Sequence, residues 1–424
     1  MEPENSSPRS GDGLRGRRAA VVLFSDYPTD TRPFRAAQAL RSAGMDVDVI
    51  CLQDHDGELR RETVGGVNVL RLRLRSRRGG KLTYLAQYAA FTLAAAGFLA
   101  VRSVKRRYDL VHVHNMPDLM VFSALVPKLF GARVILDLHD PMPELMMSIY
   151  NLRPQSFAVR ILKLSEKWSL RFADLVLTTN LAFETLFVSR SCPPAKLQVI
   201  MNCPDEAVFP FKPAAAVPAP RDPARPFVIL YHGCLVARHG LDFAIDALQR
   251  VRQTIPNAIL MVCAKRTPYF EAVMKSVEQR GLQAMIRYLG MLDPNKIPEI
   301  IDQCDVGIVP NRRSIFTEIN LPTRIFECLA LAKPVIAPAT RGIQDYFNAS
   351  ELLFFEPDNV ADLARVIEFT ATHPQAVQDI LRRGQAVYLR HLWGREQARF
   401  LALVRNLLGV HSDASPGQPP VFAT

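Results

Sequence analysis

Short apolar runs alternate with segments of helical periodicity along the first half of the chain. The run AAVVLF at residues 19–24 precedes RPFRAAQALRSAG, in which apolar residues recur at helical spacing before a glycine. Buried strands of a parallel sheet are continuously apolar, whereas a helix that covers a sheet is apolar on one face. The alternation continues through LVHVHNM, RVILDLHD and ADLVLTTN. It predicts a doubly wound, Rossmann-like α/β domain over residues 19–208.

The second half repeats this alternation after an interruption. Residues 209–226, FPFKPAAAVPAPRDPARP, are rich in proline and alanine without strand or helix periodicity, and are predicted to be an interdomain linker. The strands FVILYHGC and NAILMVCA, with the helix LDFAIDALQRVRQ between them, predict a second Rossmann-like domain over residues 227–409. Its last helix is expected to pack back on the first domain. The polar leader 1–18 and the tail 410–424 are predicted to be disordered.

Two α/β domains of this kind are expected to face each other across a cleft lined by strand ends and helix N-termini, where backbone amides favour phosphate. No GxGxxG motif follows a strand, and no GxxxxGK[ST], GxSxG or HExxH motif occurs. These absences argue against dinucleotide oxidoreductases, P-loop hydrolases, α/β-hydrolases and zinc proteases. A nucleotide is the expected occupant of the cleft.

Charge and cysteine content narrow the class of protein. The formal net charge of +11 predicts an anionic partner, whether a phosphate-bearing substrate, a membrane surface or nucleic acid. Seven cysteines form no CxxC pair, as expected of reduced cytosolic thiols, and support neither a disulfide framework nor a zinc site. The leader lacks the apolar run of a signal peptide, so a cytoplasmic protein is expected.

Residues 84–101, YLAQYAAFTLAAAGFLAV, are the one stretch with the length and composition of a minimal membrane span. A buried helix pair in the first domain fits the pattern better. The preceding residues 71–81, RLRLRSRRGGK, contain six basic residues and no acid. A basic stripe beside an apolar helix predicts a peripheral contact with anionic lipid, on the cytoplasmic face of a membrane.

The segment NLPTRIFECLALAKPVIAP at residues 320–338 places two charges in an otherwise apolar stretch. Arg324 and Glu327 are three positions apart, so both lie on one helix face and can reach one ligand. A carboxylate can accept two hydrogen bonds from a vicinal diol, and an arginine offers planar donors to phosphate.

This segment resembles the nucleotide-sugar motif of the GT-B glycosyltransferases of the family 4 type, and the resemblance extends over about residues 20–400. It implies that Glu327 binds the donor ribose, while Arg324 and the loop amides around Leu321 and Thr323 face the diphosphate. Most members have a glutamate eight positions before the second, where this chain has Ile319.

Two further segments resemble loops of the same family. In YHGCLVARHGLD, the resemblance places Gly233 at the turn after a strand, with Arg238 and His239 as contacts for the donor diphosphate. In DLHDPMPELM, it places His139 near the transferred sugar. A neutral imidazole there can bond the sugar or the acceptor hydroxyl, so His139 is the catalytic candidate. Arg32 and Asn115 are the candidates for the acceptor side.

The resemblance implies a retaining glycosyltransferase that moves a sugar from a nucleotide-diphosphate sugar to a hydroxyl, on a lipid-linked or envelope glycan. Neither a metal ion nor another cofactor is expected, because helix dipoles and arginine can stabilise the leaving diphosphate. Nucleic acid is not expected as a partner. The alternatives are a GT-B epimerase or phosphorylase, and a basic binding protein of the same fold with weakened catalysis.

Overall fold

The computed structural model describes residues 13–53, 57–74, 81–217, 222 and 224–410. Most of the predicted leader and tail, and part of the predicted linker, lie outside these ranges. The described residues form two α/β units, each built on one sheet.

The first sheet has eight strands in the order β3-β4-β2-β1-β5-β6-β7-β8, parallel except for the β3–β4 pair. The strands are β1 (Arg18–Val22), β2 (Asp46–Leu52), β3 (Arg61–Val64), β4 (Val67–Leu72), β5 (Leu110–His114), β6 (Arg133–Leu138), β7 (Leu175–Thr178) and β8 (Leu197–Val199). The helices are α1 (Thr31–Ser42), α2 (Lys81–Lys105), α3 (Leu125–Leu129), α4 (Met142–Tyr150), α5 (Phe157–Phe172) and α6 (Leu181–Arg190), with short 3-10 helices at Asp118–Ala124 and Pro194–Lys196.

The second sheet has six strands in the order β11-β10-β9-β12-β13-β14. These are β9 (Phe227–His232), β10 (Ala258–Cys263), β11 (Ile286–Gly290), β12 (Val306–Ile308), β13 (Val335–Pro338) and β14 (Leu353–Phe355). The helices are α7 (Leu241–Val251), α8 (Pro268–Gln279), α9 (Ile297–Asp302), α10 (Arg324–Ala330), α11 (Arg341–Gln344), α12 (Val360–Thr372), α13 (Pro374–Arg390) and α14 (Trp393–Leu407), with 3-10 helices at Ala237–His239, Gln283–Met285 and Pro294–Lys296. All pairings in this sheet are parallel. The predicted pair of doubly wound domains is confirmed.

The chain crosses between the two units earlier than the predicted linker. The amide of Ile200 still donates to Thr178 of the first sheet, whereas Met201 already packs in the core of the second unit. Phe209 is buried in that core, and the amide of Lys212 donates to the Ala330 carbonyl. The first residues of the proline-rich segment therefore lie against the second unit, where their backbone is hydrogen-bonded.

The last helix returns to the first unit, where Phe400 and Val404 of α14 enter the core beside α1. Both crossings lie side by side, since a carboxylate oxygen of Glu396 accepts from the Met201 amide at 3.0 Å. A movement of one domain relative to the other would therefore bend both connecting segments, which lie next to each other.

The N-terminal boundary is also earlier than predicted. Leu14 is fully buried in the core beneath α1 and α14, and Arg18 already belongs to β1. Ordered structure thus includes residues 13–18 of the predicted leader, because one apolar side chain in that polar segment has a core to fill.

The prediction of a buried helix pair at residues 84–101 is wrong. The segment is part of α2, a single helix of 25 residues. It meets the length and hydropathy criteria for a membrane span, yet only 17% of its apolar window is buried. Phe91, Ala95 and Leu99 form the one side that packs on the sheet. Apolar composition indicated a helix here but could not indicate which sides are covered.

The basic stripe predicted at residues 71–81 is interrupted at its start. The Arg71 side chain is buried and ion-paired with Glu62 at 2.6 Å and with Glu58 at 3.4 Å. It also donates to the Tyr27 carbonyl at 2.9 Å. Arg71 is therefore a structural cation of the sheet edge and not a lipid contact. Residues 75–80 of the stripe lie outside the described residues.

Candidate functional site

A cavity of about 460 Å³ lies between the carboxyl-terminal ends of the two sheets. Residues of both units line it, as expected where the strand ends of two α/β domains meet. It brings together seven of the residues selected from the sequence: His139, Gly233, His239, Leu321, Thr323, Arg324 and Glu327.

Glu327 sits in the first turn of α10 and faces the cavity. One carboxylate oxygen lies 2.7 Å from Nε2 of His232, the last residue of β9. The Glu327 side chain remains 20% exposed, so its carboxylate is held by the ring and still open to a ligand. His232 was not predicted from the sequence, where its only signal is its position as the last polar residue before the strand-end glycine.

Arg324 opens α10 and is buried against the end of β9. Its guanidinium donates to the His232 carbonyl and to Oδ1 of Asn311, both at 2.9 Å, and lies over the Tyr231 ring. Two of its donors thus hold the protein itself. Arg324 lines the cavity as a fixed positive charge with fewer free donors than the sequence suggested.

The turn after β9 depends on a glycine. Gly233 has φ +123°, a backbone angle that residues other than glycine rarely adopt. A Cβ at this position would lie 3.2 Å from Nη1 of Arg324. The amides of Leu321 and Thr323, across from this turn, donate to no protein group within the described chain. The loop that holds Leu321 and Thr323 therefore offers backbone donors to an anion in the cavity, whereas the Gly233 amide already donates to the Cys263 carbonyl.

His239 and Arg238, both expected to contact the diphosphate, have different surroundings. Nδ1 of His239 donates to the Cys234 carbonyl at 3.0 Å, and burial, reinforced by Arg324, lowers the pKa of His239 to about 3. The ring is neutral at pH 7. Arg238 is not among the residues that line the cavity; it lies over the Phe316 ring, and burial lowers its pKa despite attraction to Asp140.

His139 projects from the loop after β6 on the opposite wall. Its Nε2 is 2.9 Å from Nδ1 of His114, and its backbone N–H donates to Oδ1 of Asn115 at 2.8 Å. Burial lowers the pKa of His139 more than the neighbouring Asp137 raises it, so the imidazole is neutral at pH 7. Asp140, the next residue along, has its pKa raised to about 6 by burial.

Arg32 and Asn115 lie behind His139, away from the predicted acceptor side. The guanidinium of Arg32 pairs with the Asp137 carboxylate at 2.8 to 3.1 Å and donates to the Ile200 carbonyl. Asn115 donates to Oδ1 of Asp118 at 3.0 Å and to the Asp140 carbonyl at 2.9 Å. Both are buried and bonded within the protein, so their role here is to fix the His139 loop.

We expect the Arg32–Asp137 pair to contribute strongly to stability. Burial alone would raise the pKa of Asp137, but Arg32 and the His112 and His114 rings hold it well below its usual range. Arg32→Leu leaves a buried carboxylate unpaired and should lower the free energy of unfolding at pH 7 by about 3–5 kcal/mol. Because the folded pKa is depressed, the contribution is complete above the unfolded pKa of about 4 and fades as pH falls through the folded value.

Urea unfolding at pH 7 and at acid pH measures this effect, with Arg41→Leu as the matched control on the same helix. Arg41 is exposed and donates only to the Gly66 carbonyl, so its replacement should cost less than about 1 kcal/mol. Equal losses for the two variants would contradict the assignment.

His112, His114 and Asp137 could hold a metal ion by proximity, since their ligand atoms lie within 4.8 Å of one another. The Asp137 carboxylate, however, already accepts three hydrogen bonds from the Arg32 guanidinium. A cation here would lie next to that positive charge, which disfavours it. The donor set therefore fits a buried polar network under His139 better than a metal centre.

Ile319, where the resemblance leads one to expect a glutamate, has an apolar role. It packs with Phe316 against the core of the first unit. The neighbouring Glu318 pairs with Arg313 at 2.9 Å and accepts from the Arg341 amide. No carboxylate from this loop is therefore among the residues that line the cavity.

Comparisons with known proteins identify the family of this chain. Residues 30–203 match the model of the glycosyl transferase 4-like domain, and residues 217–386 match that of the glycosyl transferases group 1, so the two span most of the chain. The chain belongs to the GT-B glycosyltransferases of the family 4 type. Glycogen synthase of Mycobacterium tuberculosis is 26% identical over 227 residues, 53% of this chain and 51% of that protein. The chain thus matches about half the length of this curated relative.

Solved structures of GT-B proteins share the fold. Sucrose-phosphate synthase from Thermosynechococcus elongatus superposes with a TM-score of 0.75 at 18% identity, covering 93% of this chain and 100% of the other. Anabaena Alr3699/HepE in complex with UDP has a TM-score of 0.66 at 16% identity, covering 92% and 100%. At these identities the likeness establishes the GT-B fold alone.

Proposed function

We propose that this GT-B protein transfers a sugar from a nucleotide-diphosphate sugar to a hydroxyl acceptor on a lipid-linked or envelope glycan. The observation that carries the proposal is the pairing across one cavity of Glu327, held by His232, with the neutral His139 on the opposite wall. A nucleotide sugar is a long molecule with a ribose near one end and the transferred sugar at the other. A carboxylate that can bind the ribose diol and an imidazole that can bind the sugar, at opposite ends of the cavity, match these two groups.

The donor is oriented by the charges and amides along the cavity. The ribose binds the open oxygen of Glu327, and the diphosphate lies between the Gly233 turn and the amides of Leu321 and Thr323. Arg324 contributes a buried positive charge beside the diphosphate. As the glycosidic bond breaks, negative charge grows on the departing diphosphate, and these preorganised donors stabilise it without a metal ion.

His139 acts at the sugar. Its ring is neutral and its Nε2 is held by Nδ1 of His114 at 2.9 Å, so the ring is fixed in place at the cavity without adding a charge. Because the ring is neutral, it can bind a sugar hydroxyl without competing with the loop amides and Arg324 for the negatively charged diphosphate. Retention of configuration and an envelope acceptor belong to the proposal through the family resemblance, and a cytoplasmic location through the reduced thiols. Binding of UDP by Alr3699/HepE supports the nucleotide donor.

A thermal-shift panel of nucleoside diphosphates and their sugars tests the donor class. The cognate compound, at about a hundred times its dissociation constant, should add about 2.7 kcal/mol to the free energy of unfolding. EDTA should leave that shift unchanged, because the groups proposed to bind the nucleotide sugar are amides, an arginine and a carboxylate, and no metal ion. A panel in which no nucleotide stabilises the protein would contradict the proposal.

The products separate transfer from the alternatives. With the cognate donor and a glycan acceptor, the protein should release nucleoside diphosphate in step with glycosylated product. An epimerised donor, or consumption of donor that requires free phosphate, would indicate the other GT-B reactions. Tight donor binding with no turnover on any acceptor would indicate a binding protein.

A further inference from the structure

One face of the first sheet is covered by a single layer of helices. α2, the 3-10 helix Asp118–Ala124 that leads into α3, and α5 lie next to one another in this layer. Their inner sides reach one core through Phe91, Val121 and Leu170. The outer side of the layer is a continuous part of the surface, on the far side of these helices from the sheet.

The outer side of α5 is apolar where a solvent-facing helix is normally polar. Phe157, Ile161, Leu164 and Trp168 recur at intervals of four, three and four residues, which aligns them in one stripe. Their exposed fractions are 77%, 49%, 46% and 56%. The core-facing side of α5 is a different one, so this stripe is not used in folding.

Basic residues flank the stripe and acids are absent from it. Arg160, Lys163, Lys167 and Arg171 lie on α5, and none forms an ion pair with any described residue. The two carboxylates of the whole layer, Asp118 and Glu166, are buried. Asp174, just after α5, pairs with Lys128 of α3 at 2.8 Å, so the charges on α5 that have no ionic partner among the described residues are all positive.

The neighbouring helices extend the apolar surface. Leu93 and Val104 of α2 are 72% and 73% exposed, and Leu129 of α3 is 77% exposed. The sequence of α2 contains no aspartate or glutamate; in its last turn Lys105 is exposed, whereas Arg102 pairs with the buried Asp48 at 3.0 Å. Three adjacent helices thus share large outward apolar side chains among basic ones.

We propose that this layer docks the protein on an anionic lipid bilayer. The α5 stripe would enter the boundary between headgroups and acyl chains, with Trp168 at the depth that tryptophan prefers and the basic side chains at the lipid phosphates. A second copy of the chain is a poorer occupant, because it would bring two basic surfaces together without a carboxylate to pair them. The α5 stripe is separate from the basic residues 71–81, and docking through it does not depend on which donor the cavity takes.

Vesicle sedimentation with the full chain at low ionic strength tests the proposal. The wild type should bind vesicles of phosphatidylcholine with phosphatidylglycerol and not phosphatidylcholine alone. Lys163→Glu/Lys167→Glu should weaken binding by at least about 30-fold, since each basic side chain at an anionic surface contributes about a factor of five. Ile161→Ser/Trp168→Ser should weaken it comparably. Arg252→Glu/Lys275→Glu, an equal charge change on exposed residues of the second unit, should bind like the wild type.

Tryptophan fluorescence locates the contact. The chain has two tryptophans, so in a Trp393→Phe background the emission reports Trp168 and should shift to shorter wavelength on anionic vesicles. Unchanged unfolding midpoints would show that the variants fold. The proposal is overturned if anionic vesicles are not bound, if the α5 variants bind like the wild type, or if the stripe instead mediates dimerisation in sedimentation equilibrium.

Discussion

Replacing Glu327 with alanine should lower kcat/KM for the nucleotide-sugar donor by at least about tenfold. If Glu327 binds the ribose as proposed, the variant removes two charge-assisted hydrogen bonds, each worth about 1.5–3 kcal/mol. It also leaves Nε2 of His232 without its partner at 2.7 Å. Glu327→Gln keeps the shape of the side chain and should be impaired less than Glu327→Ala.

Steady-state kinetics with the donor varied measure this loss, and Glu318→Ala is the matched control. Glu318 lies in the preceding loop, pairs with Arg313 and does not line the cavity, so its removal should leave kcat/KM within about twofold of the wild type. Wild-type kinetics for Glu327→Ala, or equal losses in both variants, would contradict the ribose assignment.

Variants at the two ends of the cavity should separate turnover from binding. His139→Ala should lower kcat by about a hundredfold, the usual scale for a positioned catalytic group, with nearly unchanged affinity for the nucleoside diphosphate. Arg324→Ala should lose that affinity as well as turnover, because the diphosphate is present in the ground and transition states alike.

Calorimetric titration beside steady-state rates distinguishes these patterns. Arg324 also holds the His232 carbonyl and Asn311, so its variant is assayed only after its unfolding midpoint shows that it is folded. His373→Ala, on an exposed residue before α13, is the control for loss of an imidazole. Equal loss of diphosphate affinity in the His139 and Arg324 variants would contradict this division.

The sequence predicted the two sheets and the grouping of Arg324 and Glu327 on one side of the cavity because those features are local. Strands such as β1 and β9 are apolar runs, and Arg324 and Glu327 share one helix turn. Contacts between distant residues could not be predicted. Arg32 was predicted to face an acceptor, but the fold places the Asp137 carboxylate against it. The partner of Glu327, His232, is 95 positions away in the chain.

Exposure was the other property that the sequence could not supply. The apolar residues of α2 and the stripe of α5 have the composition of core helices, and only the packing shows that many of their side chains face outward. The same holds for the proline-rich segment from Phe209 onward. Its sequence did not indicate that its backbone forms hydrogen bonds with the second unit.

We propose that the cavity between the two sheets binds a nucleoside diphosphate with its ribose on Glu327. Calorimetric titration of the nucleoside diphosphate into the wild type, Glu327→Ala and Glu318→Ala tests it most directly. We predict one site per chain, a dissociation constant raised at least about tenfold in Glu327→Ala alone, and no change in Glu318→Ala. Equal dissociation constants for the wild type and Glu327→Ala would contradict the claim.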